Sequence, residues 1–222
     1  MSYLKEFLKK YQVEEKRLKI GNNEFTFFLP KDITPFVKEK ASMSEFPLWA
    51  KIWEGSIVLI SHIYELNSTI PKSFLEIGAG IGVVGIITAF LGHKVTITDY
   101  NKDALQFALA NVYKNLDSEK KKSVVVKKCD WKEPQLSEET YDFIVGSDIL
   151  YREEDFEPLL NLFNKHLKQT GEIILAEGVR KSSLKFLNEL SKEYEVKAAK
   201  KILRSPTQEI PVILIRAKRP KT

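Results

Sequence analysis

A single α/β unit, one mostly parallel sheet doubly wound by helices, is the fold class this sequence predicts, and two features carry that expectation. From Lys72 onward, short apolar runs of strand character alternate with segments of helical periodicity, the βα rhythm of a parallel sheet covered on both faces. The first of these strands, Phe74 to Ile77, breaks directly into Gly78-Ala79-Gly80-Ile81-Gly82, a glycine turn that launches a helix and lets a ligand approach backbone N–H groups. With 222 residues, 43% hydrophobic and 29% charged, the chain can bury one sizeable core.

Taken in order, the chain opens with Tyr3, Leu4, Phe7, Leu8 and Tyr11 at helical spacing between lysines, which predicts an amphipathic helix with its apolar face in the core. Arg17 to Ile20 and Glu24 to Leu29 flank Gly21-Asn22-Asn23, residues that tolerate positive φ, and predict a hairpin that Pro30 ends. Pro35 and Pro47 bracket a polar connection containing Ser42-Met43-Ser44. A helix is expected from Glu54 to Leu66, with Trp53 at its entrance needing an indole N–H partner and Trp49 in the core. Strands are then expected at Phe74 to Ile77, Lys94 to Thr98, Ser123 to Lys127, Tyr141 to Val145 and Gly171 to Ala176. Helices are expected between and after them, at Gly82 to Leu91, Asn101 to Tyr113, Asp155 to Leu167 and Ser182 to Leu190. Two successive strands, Glu193 to Ile202 and Ile210 to Arg216 around Ser205-Pro206-Thr207, close the chain as an antiparallel hairpin and bring the sheet to seven strands. The one candidate boundary lies near Pro71. It separates an N-terminal helix, hairpin and covering helix (1–70, in the same globule) from a core of residues 71–222.

Composition narrows the function. The longest apolar stretch, Ile81 to Leu91, is broken by glycines and falls far short of the roughly 20 residues a bilayer requires. The first ten residues mix acids and bases into an apolar pattern unlike a secretory signal, so a cytoplasmic protein is expected. Cys129 stands alone, and His62, His93 and His166 are scattered, which leaves no disulfide framework and no zinc spacing. The net charge of +5 comes from dispersed bases rather than a phosphate-tracking stripe, so neither nucleic acid nor membrane is the expected partner. A monomer is the working expectation.

Ligands of open α/β sheets sit beyond the carboxyl ends of the strands. Those ends carry Glu76 and the glycines, Asp99, Asp130-Trp131, and Ser147-Asp148 with Tyr151 close behind. Such a set suits an adenosine ligand: Asp99 for the ribose hydroxyls, Asp130 for the adenine amino group, Trp131 over the ring. Two cofactors compete for the turn. Counted from Gly80, Gly-Ile-Gly-Val-Val-Gly satisfies a dinucleotide pattern, with Asp99 as a ribose acid. Counted from the strand end, the first glycine is Gly78, Val83 falls at the third glycine, and NAD fits badly. Glu76 beside the turn is awkward against a pyrophosphate, whereas S-adenosylmethionine offers a sulfonium and an ammonium to an acid.

At these residues the sequence resembles the seven-strand S-adenosylmethionine methyltransferases, and more narrowly the methyltransferase-like protein-lysine methyltransferases. The resemblance spans about Leu48 to Ala176. It rests on Trp53-Glu54-Gly55-Ser56-Ile57-Val58-Leu59, Leu75-Glu76-Ile77-Gly78-Ala79-Gly80-Ile81-Gly82, Thr98-Asp99-Tyr100-Asn101, Asp130-Trp131 and Ser147-Asp148-Ile149-Leu150-Tyr151. The last segment matches that family's acid-x-x-Tyr motif, and it lacks the prolines that base-methylating relatives carry there. The resemblance implies cofactor binding by Trp53, Glu76, Gly78, Ala79, Gly80, Gly82, Asp99, Trp131 and Ser147, with Asp130 joining them on the adenosine argument. It implies that Asp148 and Tyr151 face the amine of a lysine in a protein substrate. Gly55 and Ser56 stand where many relatives have small residues such as alanine, a departure expected to be harmless. The competing expectations are methylation of RNA or of a small-molecule amine, an NAD-dependent reductase, and a non-catalytic cofactor-binding module.

Overall fold

The computed structural model describes residues 3–37, 46–66, 68–136, 138–204 and 208–221. The predicted connection at Ser42-Met43-Ser44 and the turn at Ser205-Pro206-Thr207 lie outside the described residues. Helix α1 (Tyr3–Lys10) leads into a hairpin of β1 (Val13–Ile20) and β2 (Asn23–Pro30), and α2 (Glu54–Leu66) follows. The alternating part runs β3 (Ser73–Glu76), α3 (Val83–Phe90), β4 (Lys94–Asp99), α4 (Lys102–Asn115), α5 (Ser118–Lys121), β5 (Val124–Lys128) and β6 (Tyr141–Ser147). It continues through α6 (Phe156–His166), β7 (Leu167–Gly178) and α7 (Lys181–Leu190) to β8 (Glu195–Arg204) and β9 (Glu209–Lys218).

Seven strands form one sheet in the order β5-β4-β3-β6-β7-β9-β8. Pairing is parallel from β5 to β7, and antiparallel where β9 inserts between β7 and β8. The predicted C-terminal hairpin therefore exists, with its second strand innermost. Burial explains the sequence of the central strands. In β7, Ile174 and Ala176 face the core layer of α2, α3 and α4, while Ile173 and Leu175 face that of α6 and α7, so both parities are apolar.

The short helix α5 is not among the expected elements, and two strands start well before their expected positions. Strand β7 starts at Leu167 rather than Gly171, because Leu167 pairs with Tyr141 before the register shifts to Phe143 against Glu172. Gly171 sits at that irregularity, where a Cβ would stand 2.8 Å from Leu167 Cδ1. Strand β1 starts at Val13, four residues early, because its Glu14, Glu15 and Lys16 face solvent and mask the strand pattern.

The N-terminal hairpin is held by two asparagines of α4. Asn115 accepts from Thr26 N (2.9 Å) and donates to Thr26 O (2.9 Å). Asn111 accepts from Phe28 N (2.7 Å) and donates to Phe28 O (3.2 Å) and to Ile81 O in the glycine turn (3.1 Å). Side-chain amides thus satisfy the outer edge of β2 as another strand would. Helix α2 lies on β7 and β9 and brings Trp53 to the carboxyl ends of the parallel strands. Among the described residues, no helix is long and apolar enough to cross a membrane, and no cluster of side chains has a metal-binding arrangement.

Candidate active site

A cavity of about 610 Å³ opens at the carboxyl ends of β3, β4 and β6. Its floor is the glycine turn. Gly78 and Gly80 take left-handed backbone (φ 59° and 55°), and a Cβ on Gly78 would stand 2.7 Å from Ile149 Cγ2 and 3.5 Å from Trp131 Cζ3. Three of the turn's amides bond within the protein: Ala79 N donates to Thr98 O (2.9 Å), Gly82 N to Ala79 O (2.9 Å) and Gly80 N to Asp99 Oδ2 (2.8 Å). The other oxygen of Asp99 accepts from Asn101 N (2.8 Å), and burial raises the pKa of this carboxyl.

Trp53 stands on the wall, its indole N–H donating to Leu48 O (2.7 Å) and its ring lying 4.3 Å from Lys51 Nζ. Next to it, Ser56 and Ser147 share a hydroxyl hydrogen bond of 2.9 Å that joins α2 to β6. Trp49 is buried as expected, and it also borders the cavity by crossing over the turn, where a Cβ on Gly80 would stand 3.1 Å from Trp49 O.

Asp148 is the non-glycine residue with positive φ (49°) among the described residues, a conformation that costs an L-residue energy and that Asp tolerates better than most. What holds it there is a full set of bonds. Asp148 N donates to Ala176 O (2.9 Å), Oδ2 accepts from Gly55 N (3.0 Å), and Oδ1 accepts from Gly178 N (3.1 Å) and Arg180 Nη2 (2.7 Å). This arrangement needs the glycine at position 55, since a Cβ would collide with Asp148 Oδ2 and approach Ala176 O to 2.5 Å. Glu177, fully buried, accepts from Ile149 N (2.9 Å) and Leu150 N (3.3 Å) and so clamps the following segment. Tyr151 is 37% exposed, its ring lies 4.5 Å beneath the Arg180 guanidinium, and burial pushes its hydroxyl up to about 12.

Of the residues singled out in the sequence, Trp53, Gly78, Ala79, Gly80, Asp99, Trp131, Ser147, Asp148 and Tyr151 border this one cavity. Glu76, Gly82 and Asp130 stand off it. Glu76 points inward and accepts from Gly85 N (2.9 Å), closing the N-terminus of α3. Gly82 allows α3 against α4, where its Cβ would meet Ala108 Cβ at 3.1 Å. Asp130 accepts from Lys132 N (3.0 Å) within its own tight turn. Sequence reasoning missed Arg180, Glu177 and the Arg152–Asp155 pair (2.9 Å). The rule of strand ends would have found the first two had it been carried to the end of β7.

The two buried glutamates have a consequence for stability. Burial raises both Glu76 and Glu177 from an ordinary 4.5 to about 8, with Asp99 and Asp148 adding repulsion. The folded chain then holds protons that the unfolded chain releases, so this contribution is complete below pH 4.5 and is lost as pH rises through about 8. The melting temperature of the ligand-free protein is expected to fall between pH 5.5 and 8.5, and E76Q to flatten part of that slope. A melting temperature that rises across this interval in the wild type contradicts the assignment.

A profile described as lysine methyltransferase matches residues 39–193. The protein N-lysine methyltransferase METTL21A of Xenopus tropicalis is 34% identical over 65% of this chain and 67% of its own length, and that of Danio rerio 36% identical over 66% and 69%. A histidine protein methyltransferase 1 homolog of Dictyostelium discoideum is 35% identical over 64% of this chain and 50% of its own length. Among solved structures, a SAM-dependent methyltransferase from Agrobacterium tumefaciens superposes with a TM-score of 0.64 at 16% identity, covering 96% of this chain and 72% of the other, a likeness of fold.

Proposed function

The chain belongs to the lysine methyltransferase family and its function is N-methylation of a lysine in a protein, and we propose that it takes the methyl group from S-adenosylmethionine held over the glycine turn. The observation that supports this donor over a dinucleotide is that the Asp99 carboxylate sits on the glycine turn, where it would repel a diphosphate. That carboxylate takes the Gly80 amide, and the amides of Ala79 and Gly82 are spent on Thr98 O and Ala79 O, which closes three of the turn's donors to phosphate. The residues present fit the donor: Gly78 and Trp131 border the same cavity, where a flat ring can lie, and Asp99, which accepts from the amides of Gly80, Asn101 and Tyr100, keeps acceptor capacity for a ribose hydroxyl.

S-adenosylmethionine supplies a methyl already activated on a sulfonium, so the protein's task is positioning. On this reading Trp53 and Ser147 border the methionyl end, and Asp148 and Tyr151 border the acceptor amine. Asp148 Oδ1 is saturated by two donors, whereas Oδ2 has one and can still accept an amine N–H to aim the nitrogen lone pair.

Incubation with tritiated S-adenosylmethionine and a cell extract is expected to label protein, and mass spectrometry of the labelled band to find methyl groups on lysine. Labelled RNA, methylation at histidine, or stabilisation by NADH without stabilisation by S-adenosylhomocysteine would each defeat this reading.

A further inference from the structure

Arg180 leaves the carboxyl end of β7 and crosses the acceptor side of the cavity, where Gly178 makes room for it: a Cβ there would stand 3.1 Å from Nη2. Nη2 bonds Asp148 Oδ1 at 2.7 Å, Nη1 lies 3.7 Å from Glu177 Oε2, and the guanidinium covers the Tyr151 ring at 4.5 Å. The nearby Arg152 is closed on Asp155, which also meets Lys132. With Arg152 and Asp155 closed on each other, the charges left on this side of the cavity wall are Asp148 and Arg180, and Glu177 lies buried behind them.

A lysine must be neutral to be methylated, and an ordinary one at pH 7 costs about 4 to 5 kcal/mol to deprotonate. A lone buried carboxylate and an open aromatic face would both make this worse, because each stabilises an ammonium. In this protein both are already occupied by one guanidinium. We propose that Arg180 sets the protonation state of the acceptor: by cancelling the charge of Asp148 and covering Tyr151, it makes the site admit a lysine as the neutral amine. Burial holds Glu177 largely protonated at pH 7, so it does not restore the negative charge. The lysine sheds one proton to water on entry. Its lone pair then forms the N–C bond as the S–C bond breaks with its electrons left on sulfur, and the product ammonium gives its extra proton to water. Arg180 touches none of the reacting atoms; it is a positioning residue.

This inference rests on the lysine reading above, and the test separates the two. Initial rates of tritium transfer from S-adenosylmethionine into a heat-treated cell extract are measured from pH 6.5 to 9.5 for wild type, R180M, R180Q and R180K, with S-adenosylhomocysteine affinity as the check on folding. The expected result for R180M and R180Q is a rising limb displaced upward by about one pH unit, a loss of about 10-fold at pH 7 that shrinks to within about 3-fold at pH 9.5. R180K retains the wild-type profile. Should R180M fail to bind S-adenosylhomocysteine, R180Q carries the measurement. A loss by one constant factor at every pH, or an unmoved limb, overturns the role of Arg180 and leaves the lysine reading intact; a wild type that labels no protein overturns both.

Discussion

D148N is expected to lower methyl transfer by about 100-fold or more while leaving S-adenosylhomocysteine affinity within a few fold. The substitution is chosen because asparagine shares aspartate's tolerance of the left-handed backbone seen at this position, so the effect reads chemistry rather than strain. An amide has one acceptor atom where the carboxylate has two. With its oxygen kept on the Arg180 and Gly178 pair, the amide turns its NH₂ group to Gly55 N and the oxygen available to an amine N–H is lost; the flipped amide keeps that oxygen but sets NH₂ against two donors, one of them a guanidinium. D148A adds a methyl side chain in a disfavoured conformation, and D148G, which removes that strain, is the control for folding. Turnover retained in D148N with cofactor affinity lost would reverse the assignment and make Asp148 a donor-binding residue.

The largest effect on stability is expected at Gly85, one turn into α3. A Cβ there would collide with Glu76 Oε2 and stand 2.6 Å from Ile97 Cγ1 in the fully buried layer between α3 and β4. Neither neighbour can yield cheaply, since Glu76 is held by the helix amides and Ile97 by the sheet. G85A should therefore cost about 2 to 3 kcal/mol, a fall of about 5 to 10 °C in melting temperature for a chain of this size. Thermal denaturation measures it directly, and a variant within about 2 °C of wild type would show that α3 can move away from β3 at little cost.

Much of this architecture was legible because each local pattern agreed with its neighbours. Apolar runs of four to six residues alternating with helical periodicity allow little but a parallel sheet, and two strands in succession at the end had to form a hairpin. The site was legible at the level of which end of the sheet to examine, and less so at the level of where each side chain points. Glu76 illustrates the gap. Its strand alternates Phe74 and Glu76 toward α3 with Leu75 and Ile77 toward α6 and α7, so parity already turned its carboxylate away from the cavity and onto the first turn of α3. The left-handed backbone of Asp148 was hidden for another reason: it is stabilised by Gly55 and by Ala176, Gly178 and Arg180, partners from two distant segments that no local pattern encodes.

Asn111 carries an implication for motion. One buried amide touches Phe28 of the hairpin and Ile81 of the glycine turn, so the two cannot loosen independently without leaving a polar group unpaired in the interior. Anything that quiets the turn should quiet the hairpin as well. Deuterium uptake at Phe28, some fifty positions upstream of the turn in sequence, would then slow when the cavity fills, making a distant amide a reporter of occupancy.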